Sequence, residues 1–160
     1  MGTTHKTLEI GAARFRSTLF ARPVKDNGTN IPVFGLAFAT NETAFFQWPF
    51  TGYGAGNVTG TILWYAGTAT SGTATWGMAL AAITAGTDTT NVTTKALATE
   101  NTNTSACRTD TKAVATVDVV VSNLDSLANF DLTFLRVRRT DSSVSGDCII
   151  LGIRLSYSDT

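Results

Sequence analysis

Residues 58–66, Val-Thr-Gly-Thr-Ile-Leu-Trp-Tyr-Ala, and residues 73–83, Thr-Ala-Thr-Trp-Gly-Met-Ala-Leu-Ala-Ala-Ile, decide the fold. In the first, Val58, Gly60, Ile62 and Trp64 alternate with Thr59, Thr61, Leu63 and Tyr65; in the second, Ala74, Trp76, Met78 and Leu80 share one side. A period of two in β-branched and aromatic residues marks a strand that buries one face. Residues 113–121 (AVATVDVVV), 130–139 (FDLTFLRVRR) and 148–157 (CIILGIRLSY) repeat the pattern, and shorter candidates lie at 7–10, 13–20, 33–38 and 43–48. Turn formers separate these runs: Asp26-Asn27-Gly28, Gly52-Tyr53-Gly54, Ser71-Gly72 and Ser145-Gly146-Asp147. No stretch of ten or more residues carries a 3.6-residue period; residues 93–100 (TTKALATE) have room for one or two helical turns, and residues 124–130 for one. The expected fold is all-β: an antiparallel β-sandwich of 8–9 strands, jelly-roll-like, with Ile62, Trp64, Trp76, Met78, Leu80 and Ile153 in its core.

A chain of 160 residues makes one domain that buries roughly two-thirds of its unfolded surface. The expected division is an N-terminal arm, residues 1–25, then a single sandwich over residues 26–160 with one long polar loop at 84–112. The arm holds Lys6, Arg14, Arg16, Arg22 and Lys25 against Glu9 alone, a balance of +4 in a chain of zero net charge. One reading makes it the first strands of its own sandwich. The sharper reading makes it a docking element, with Lys6, Arg14, Arg16, Arg22 and Lys25 giving charge-assisted contacts and Phe15, Leu19 and Phe20 seated in apolar pockets. The loop is mostly Thr, Asn, Ala and Asp, and connections longer than about 12–15 residues are functional or disordered; contact with a neighbouring subunit is the expected role.

Chemistry is poorly provided for. Charged residues are 15% of the chain, against a usual share of about 25%. Threonine takes their place with 29 residues, more than all acids and bases together. The one histidine is His5, which leaves no His-based triad, shuttle or metal set. Asp141 and Asp147 flank one turn, and Asp125 and Asp131 flank a loop, as ordinary turn residues do. No Gly-x-Ser-x-Gly, phosphate loop, dinucleotide fingerprint or calcium-loop spacing occurs, so no catalytic, cofactor-binding or metal residues are expected. Cys107 and Cys148 are spaced unlike any zinc pattern, and with no secretion signal in the sequence they are expected to remain thiols. Nothing approaches 18 consecutive apolar residues, and no basic patch with interleaved aromatics occurs beyond the arm. Neither membrane nor direct nucleic-acid contact is expected.

The aromatic residues have two readings. Trp48, Trp64 and Trp76 suit a sugar-stacking platform, but Trp64 and Trp76 share a face with Ile62, Met78 and Leu80, which favours the core. Adjacent Phe45 and Phe46 point to opposite sides of a strand, so one of them needs a second cover. Arg136, Arg138 and Arg154 share a sheet face if their strands pair.

Residues 42–83, ETAFFQWPFTGYGAGNVTGTILWYAGTATSGTATWGMALAAI, together with residues 132–160, LTFLRVRRTDSSVSGDCIILGIRLSYSDT, resemble β-rich structural proteins of tailed-bacteriophage virions. The shared pattern is an aromatic strand, a Trp-bearing strand, Thr-Ser-Gly, a second Trp-bearing strand, and a closing hairpin of the form Arg-x-Arg, Gly-Asp, Leu-Gly-Ile-x-Leu-x-Tyr. These motifs concern packing and turns and carry no catalytic content. The resemblance implies a jelly-roll subunit of the virion, foremost a capsid decoration (cement) protein on the capsid's outer surface. It further implies a homotrimer bound to the major capsid protein, assembled in the host cytoplasm and not secreted. The alternatives are a head or tail appendage, or a receptor- or glycan-binding β-sandwich module.

Overall fold

In the computed structural model, which describes residues 2–27, 32–92, 95, 97 and 99–159, the patterned runs become ten antiparallel strands. They are β1 (Thr3–Leu8), β2 (Arg22–Asn27), β3 (Pro32–Phe38), β4 (Thr43–Pro49), β5 (Val58–Ala66), β6 (Thr73–Ile83), β7 (Asn101–Ala106), β8 (Ala115–Val121), β9 (Leu132–Ser142) and β10 (Cys148–Ser158). One sheet runs β2-β3-β10-β5-β8, with β1 added along β10; the other runs β4-β9-β6-β7. The sandwich is therefore as the alternation predicts, with ten strands where 8–9 were expected. The additions are β2 (RPVKDN) and β7 (NTNTSA), whose polar side chains hide the pattern because each lies at a sheet edge.

The inner faces meet in one apolar core. Ile62, Trp64, Trp76, Met78, Leu80 and Ile153 are all buried, as expected. Trp64 on β5 and Trp76 on β6 meet edge-on across the two sheets with ring centroids 5.8 Å apart, and Phe38 on β3 meets Trp76 at 5.4 Å. The Trp64 indole N–H donates to Ser105 Oγ at 2.9 Å, so the buried ring keeps its polar partner. Gly60 faces this layer: a Cβ there would lie 2.3 Å from Met78 Sδ, so only glycine lets Met78 fill the space. On β10 the alternation slips at a bulge between Ile150 and Gly152, which brings Ile153, Leu155 and Tyr157 inward after Cys148 and Ile150.

A second interior feature is polar. Arg139 is 1% exposed, and its guanidinium donates to the carbonyl oxygens of Phe38 (2.9 Å), Val144 (2.9 Å) and Gly146 (2.6 Å). One side chain thus ties the end of β3 to the β9–β10 turn through three backbone carbonyls.

The segment expected as an arm is built into this sandwich. β1 pairs residue by residue with the C-terminal half of β10, Thr3 with Ser158 through Leu8 with Ile153, while β3 pairs with the N-terminal half of β10. Leu8, Ala13 and Ala21 are buried, and the boundary drawn at residue 25 falls inside β2. The physical reason is the edge of β10: without β1 its last six residues would present unpaired backbone groups. The strand expected at 13–20 does not form. Arg14 bridges to Phe45 and Phe20 to Thr43, and between them the chain bows outward, with Leu19 in the left-handed region at φ 51°.

The long loop is likewise absorbed in part. It contains β7, and Val92 and Leu97 pack with Phe45 over Ala79 and Ala81 on the outer face of β6. Lys95 anchors this cover, its ammonium donating to Asp88 (2.8 Å) and to the Ala82 carbonyl (2.5 Å) and lying 3.2 Å from Asp125. Of the helical turns expected over residues 93–100, residues 93, 94, 96 and 98 lie outside the described residues. Residues 124–127 make a tight turn with Asp125 and Ser126 both left-handed, not a helical one.

Trp76 lies at the centre of the inter-sheet layer, so its truncation leaves a cavity that the two sheets cannot close. Trp76→Ala is expected to destabilise the fold by about 3–5 kcal/mol in equilibrium denaturation. A loss under about 1 kcal/mol would show that the ring does not support the core.

Candidate functional site

The eight residues expected to bind a partner do not converge on one surface. Lys6, on β1, holds its ammonium 6.0 Å from the Trp48 ring centroid. Arg14 makes its backbone bridge to Phe45, and the Phe15 and Phe20 rings stand 6.2 Å apart, both partly exposed, beside a more exposed Leu19. Arg16 and Leu19 line a pocket on the four-stranded sheet that Arg136 and Arg138 also line. Arg22 pairs with Asp147, and Lys25 lines a groove on the opposite sheet. Arg154 lies on β10, in a different sheet from β9, so it does not join Arg136 and Arg138. The three tryptophans are buried, Trp48 at 7% exposure and the others at 0%, which removes the sugar platform that their number suggested.

A groove with a volume of about 410 Å³ lies on the outer face of the six-stranded sheet. Ala37 of β3, Ile149 of β10 and Tyr65 of β5 lie side by side in the ladder, since Ile149 pairs with Ala37 on one side and with Tyr65 on the other. They form a small apolar floor, flanked by Val24 and Leu151. Lys25, Thr68, Lys112 and Asp147 form the rim. Strand alternation places the floor residues: Trp64, Cys148 and Phe38 point into the core, so their neighbours Tyr65, Ile149 and Ala37 point out. Asp147 is fixed by Arg22, across the turn that Arg139 holds from beneath. The floor residues are only 2–7% exposed, so a ligand in the groove meets mainly the polar rim. Sequence reasoning missed its floor; the available signal was apolar Tyr65 and Ile149 at positions that the alternation assigns to the outer face.

Among the described residues, no group of three or more His, Cys, Asp or Glu is placed to hold a metal ion. No helix is long and apolar enough to cross a membrane among the described residues.

No family model matches the sequence, and no curated protein matches it. Solved structures do match the fold. The CBM36-1 domain of a multidomain xylanase from the hindgut metagenome of Trinervitermes trinervoides is similar with a TM-score of 0.50 at 9% identity, over 95% of this chain and 96% of that one. The N-terminal CBM22-1–GH10 modules of Clostridium thermocellum endo-1,4-beta-D-xylanase 10B, solved with xylohexaose, are similar with a TM-score of 0.54 at 13% identity, over 98% of this chain and 28% of that one. What is shared at such identities is the jelly-roll β-sandwich. The class defined here is thus an all-β sandwich of jelly-roll type with a groove on one outer face and a basic pocket on the other.

Cys107 and Cys148 are both buried and free. Burial pushes the Cys148 thiol up to about 11, although the nearby Arg139 charge pulls the other way. Almost no thiolate exists at neutral pH, and the thiolate is the reactive species. Cys148 is expected to resist a thiol-specific disulfide reagent at pH 8 in the folded protein and to react promptly in denaturant. Fast labelling of Cys148 in the native state, located by peptide mass, would contradict this burial.

Proposed function

We propose that this chain is a non-catalytic β-sandwich module that binds a glycan in the groove of the six-stranded sheet. The observation that carries the proposal is the make-up of that groove: polar rims of Lys25, Thr68, Lys112 and Asp147 over a nearly buried floor of Ala37, Tyr65 and Ile149. A pyranose ring carries an equator of hydroxyls, which rim groups of this kind can hydrogen-bond. The likeness of fold to a CBM36-1 domain, and to xylanase modules solved with xylohexaose, supports the same reading. A binding role suits the residue supply better than hydrolysis does. Hydrolysis by the usual route needs two carboxylates, and among the described residues Asp147, already held by Arg22, is the one acid on the groove.

The test is affinity electrophoresis through gels containing xylan, cellulose derivatives or mixed-linked β-glucan. Retardation by at least one polysaccharide is expected, with loss of retardation in Lys25→Ala and Thr68→Arg, whose side chains are exposed and leave the melting temperature unchanged. A chain that no polysaccharide retards, or variants retarded as strongly as the parent, would reject the groove as a glycan site.

A second reading rests on the resemblance to virion proteins and on one structural observation. Phe15 (39% exposed), Leu19 (64%) and Phe20 (37%) form an apolar patch beside Arg14 and Arg16, a composition suited to the centre of a protein interface. On this reading the chain is a homotrimeric decoration protein that binds the major capsid protein, within a virion assembled in the host cytoplasm. A Phe15→Ser/Phe20→Ser double variant then folds, keeps any polysaccharide retardation and fails to sediment with capsids. Co-sedimentation equal to the parent's would remove this patch from the interface.

A further inference from the structure

We infer that the pocket on the four-stranded sheet is an oxyanion site, which takes a sulfate, phosphate or carboxylate group through Arg16, Arg136 and Arg138. The pocket has a volume of about 340 Å³ and lies between β9 and the bowed segment before β2. Arg136 and Arg138 stand two residues apart on β9, both on its outer side, because Leu135, Val137 and Arg139 turn inward. Thr18, Asn41 and Thr43 complete the polar lining. The Leu19 carbonyl accepts from the Thr43 backbone N–H (2.9 Å) and hydroxyl (3.1 Å), which fixes the segment that carries Arg16.

The charge balance carries the inference. Glu100 bridges both β9 arginines, accepting from Arg136 at 2.9 Å and from Arg138 at 2.6 and 3.1 Å. It reaches them because residue 77 is glycine: a Cβ on Gly77 would lie 2.4 Å from the Glu100 Cδ. One carboxylate therefore serves two guanidinium groups, and Arg16 adds a third with no ion pair among the described residues. Arg136 Nε is buried, and no described residue accepts a hydrogen bond from it. Like charges gathered in a partly desolvated pocket repel one another, and planar guanidinium forks match oxyanions in both charge and shape. A bound oxyanion relieves that repulsion. This inference is independent of the glycan reading, since pocket and groove lie on different sheets.

The probe is inorganic sulfate, titrated against the full chain at fixed ionic strength with chloride as the balancing anion and followed by NMR of the arginine side-chain N–H groups. Saturable shifts at Arg16, Arg136 and Arg138 are expected. Arg16→Gln, an exposed change, should weaken sulfate binding at least about tenfold, the loss of one charge-assisted contact. Arg154→Gln, the same charge change on the other sheet, should leave it unaltered. Glu100→Gln, which keeps shape and removes the competing charge, should tighten it. Shifts that never saturate, or equal weakening in Arg16→Gln and Arg154→Gln, would overturn the site in favour of general screening. Dextran sulfate and plain dextran then identify the source. Tighter binding per sulfate group on the polymer, with the same dependence on Arg16, assigns a substituent of a polymer; equal binding per group assigns the free ion.

Discussion

The contact between Trp64 and Trp76 is the constraint on which the rest of this molecule depends. Two twisted sheets share a core only if their inner faces interdigitate without voids. Here the largest side chains of two interior strands, β5 and β6, meet edge-on, with Phe38 against one flank and Met78 in the gap that Gly60 opens. Around this layer, Val117, Val119 and Val121 of β8 and Leu135 and Val137 of β9 close the sides. Everything outside the core is positioned by strands whose register this packing fixes, since a slip of one residue would send every inward side chain to the surface.

β10 acts as the seam of the larger sheet. It pairs with β5 along one edge, and it shares the other between β3 near the turn and β1 near its end. That division explains why the N-terminal residues are strand and not free arm: a long strand flanked on one side by a shorter neighbour leaves backbone donors and acceptors that some segment must pair. Arg139 completes the same end of the sandwich by gathering the carbonyls of Phe38, Val144 and Gly146. The groove opens above this buried arginine, so its rim residue Asp147 sits on a turn held from within and from its Arg22 partner outside.

The two outer faces are finished differently. On the four-stranded sheet, Val92, Leu97 and Phe45 cover the alanines of β6, and Glu100 lies flat over Gly77 against the β9 arginines. On the six-stranded sheet Ala37, Tyr65 and Ile149 are buried too, packed with Val24 and Leu151, and the concavity lies over them between polar side chains. On β6, alanine and glycine admit the chain's own loop.

The sequence by itself determined the all-β class, the strands with strong alternation and the six named core residues, because a period of two combined with large apolar side chains is a local property that solvent exclusion enforces directly. It also determined that the chain is poor in the groups that acid–base and metal chemistry require, since that is a matter of composition. It did not reveal β2 and β7, whose polar residues become strand only because a neighbouring edge needs hydrogen bonds, nor that the chain between the Arg14 and Phe20 bridges, with Phe15 and Leu19, bows away from β4 instead of forming a strand. Of the candidate site, Lys25, Arg16 and Leu19 were legible as a charged and apolar segment, yet only the tertiary structure decided that Lys25 faces a groove with Tyr65 while Arg16 and Leu19 face a pocket with Arg136 and Arg138. The physical reason is distance along the chain: both sites are made where residues more than a hundred positions apart are brought together by cross-strand pairing, and no local pattern records which strand will be whose neighbour.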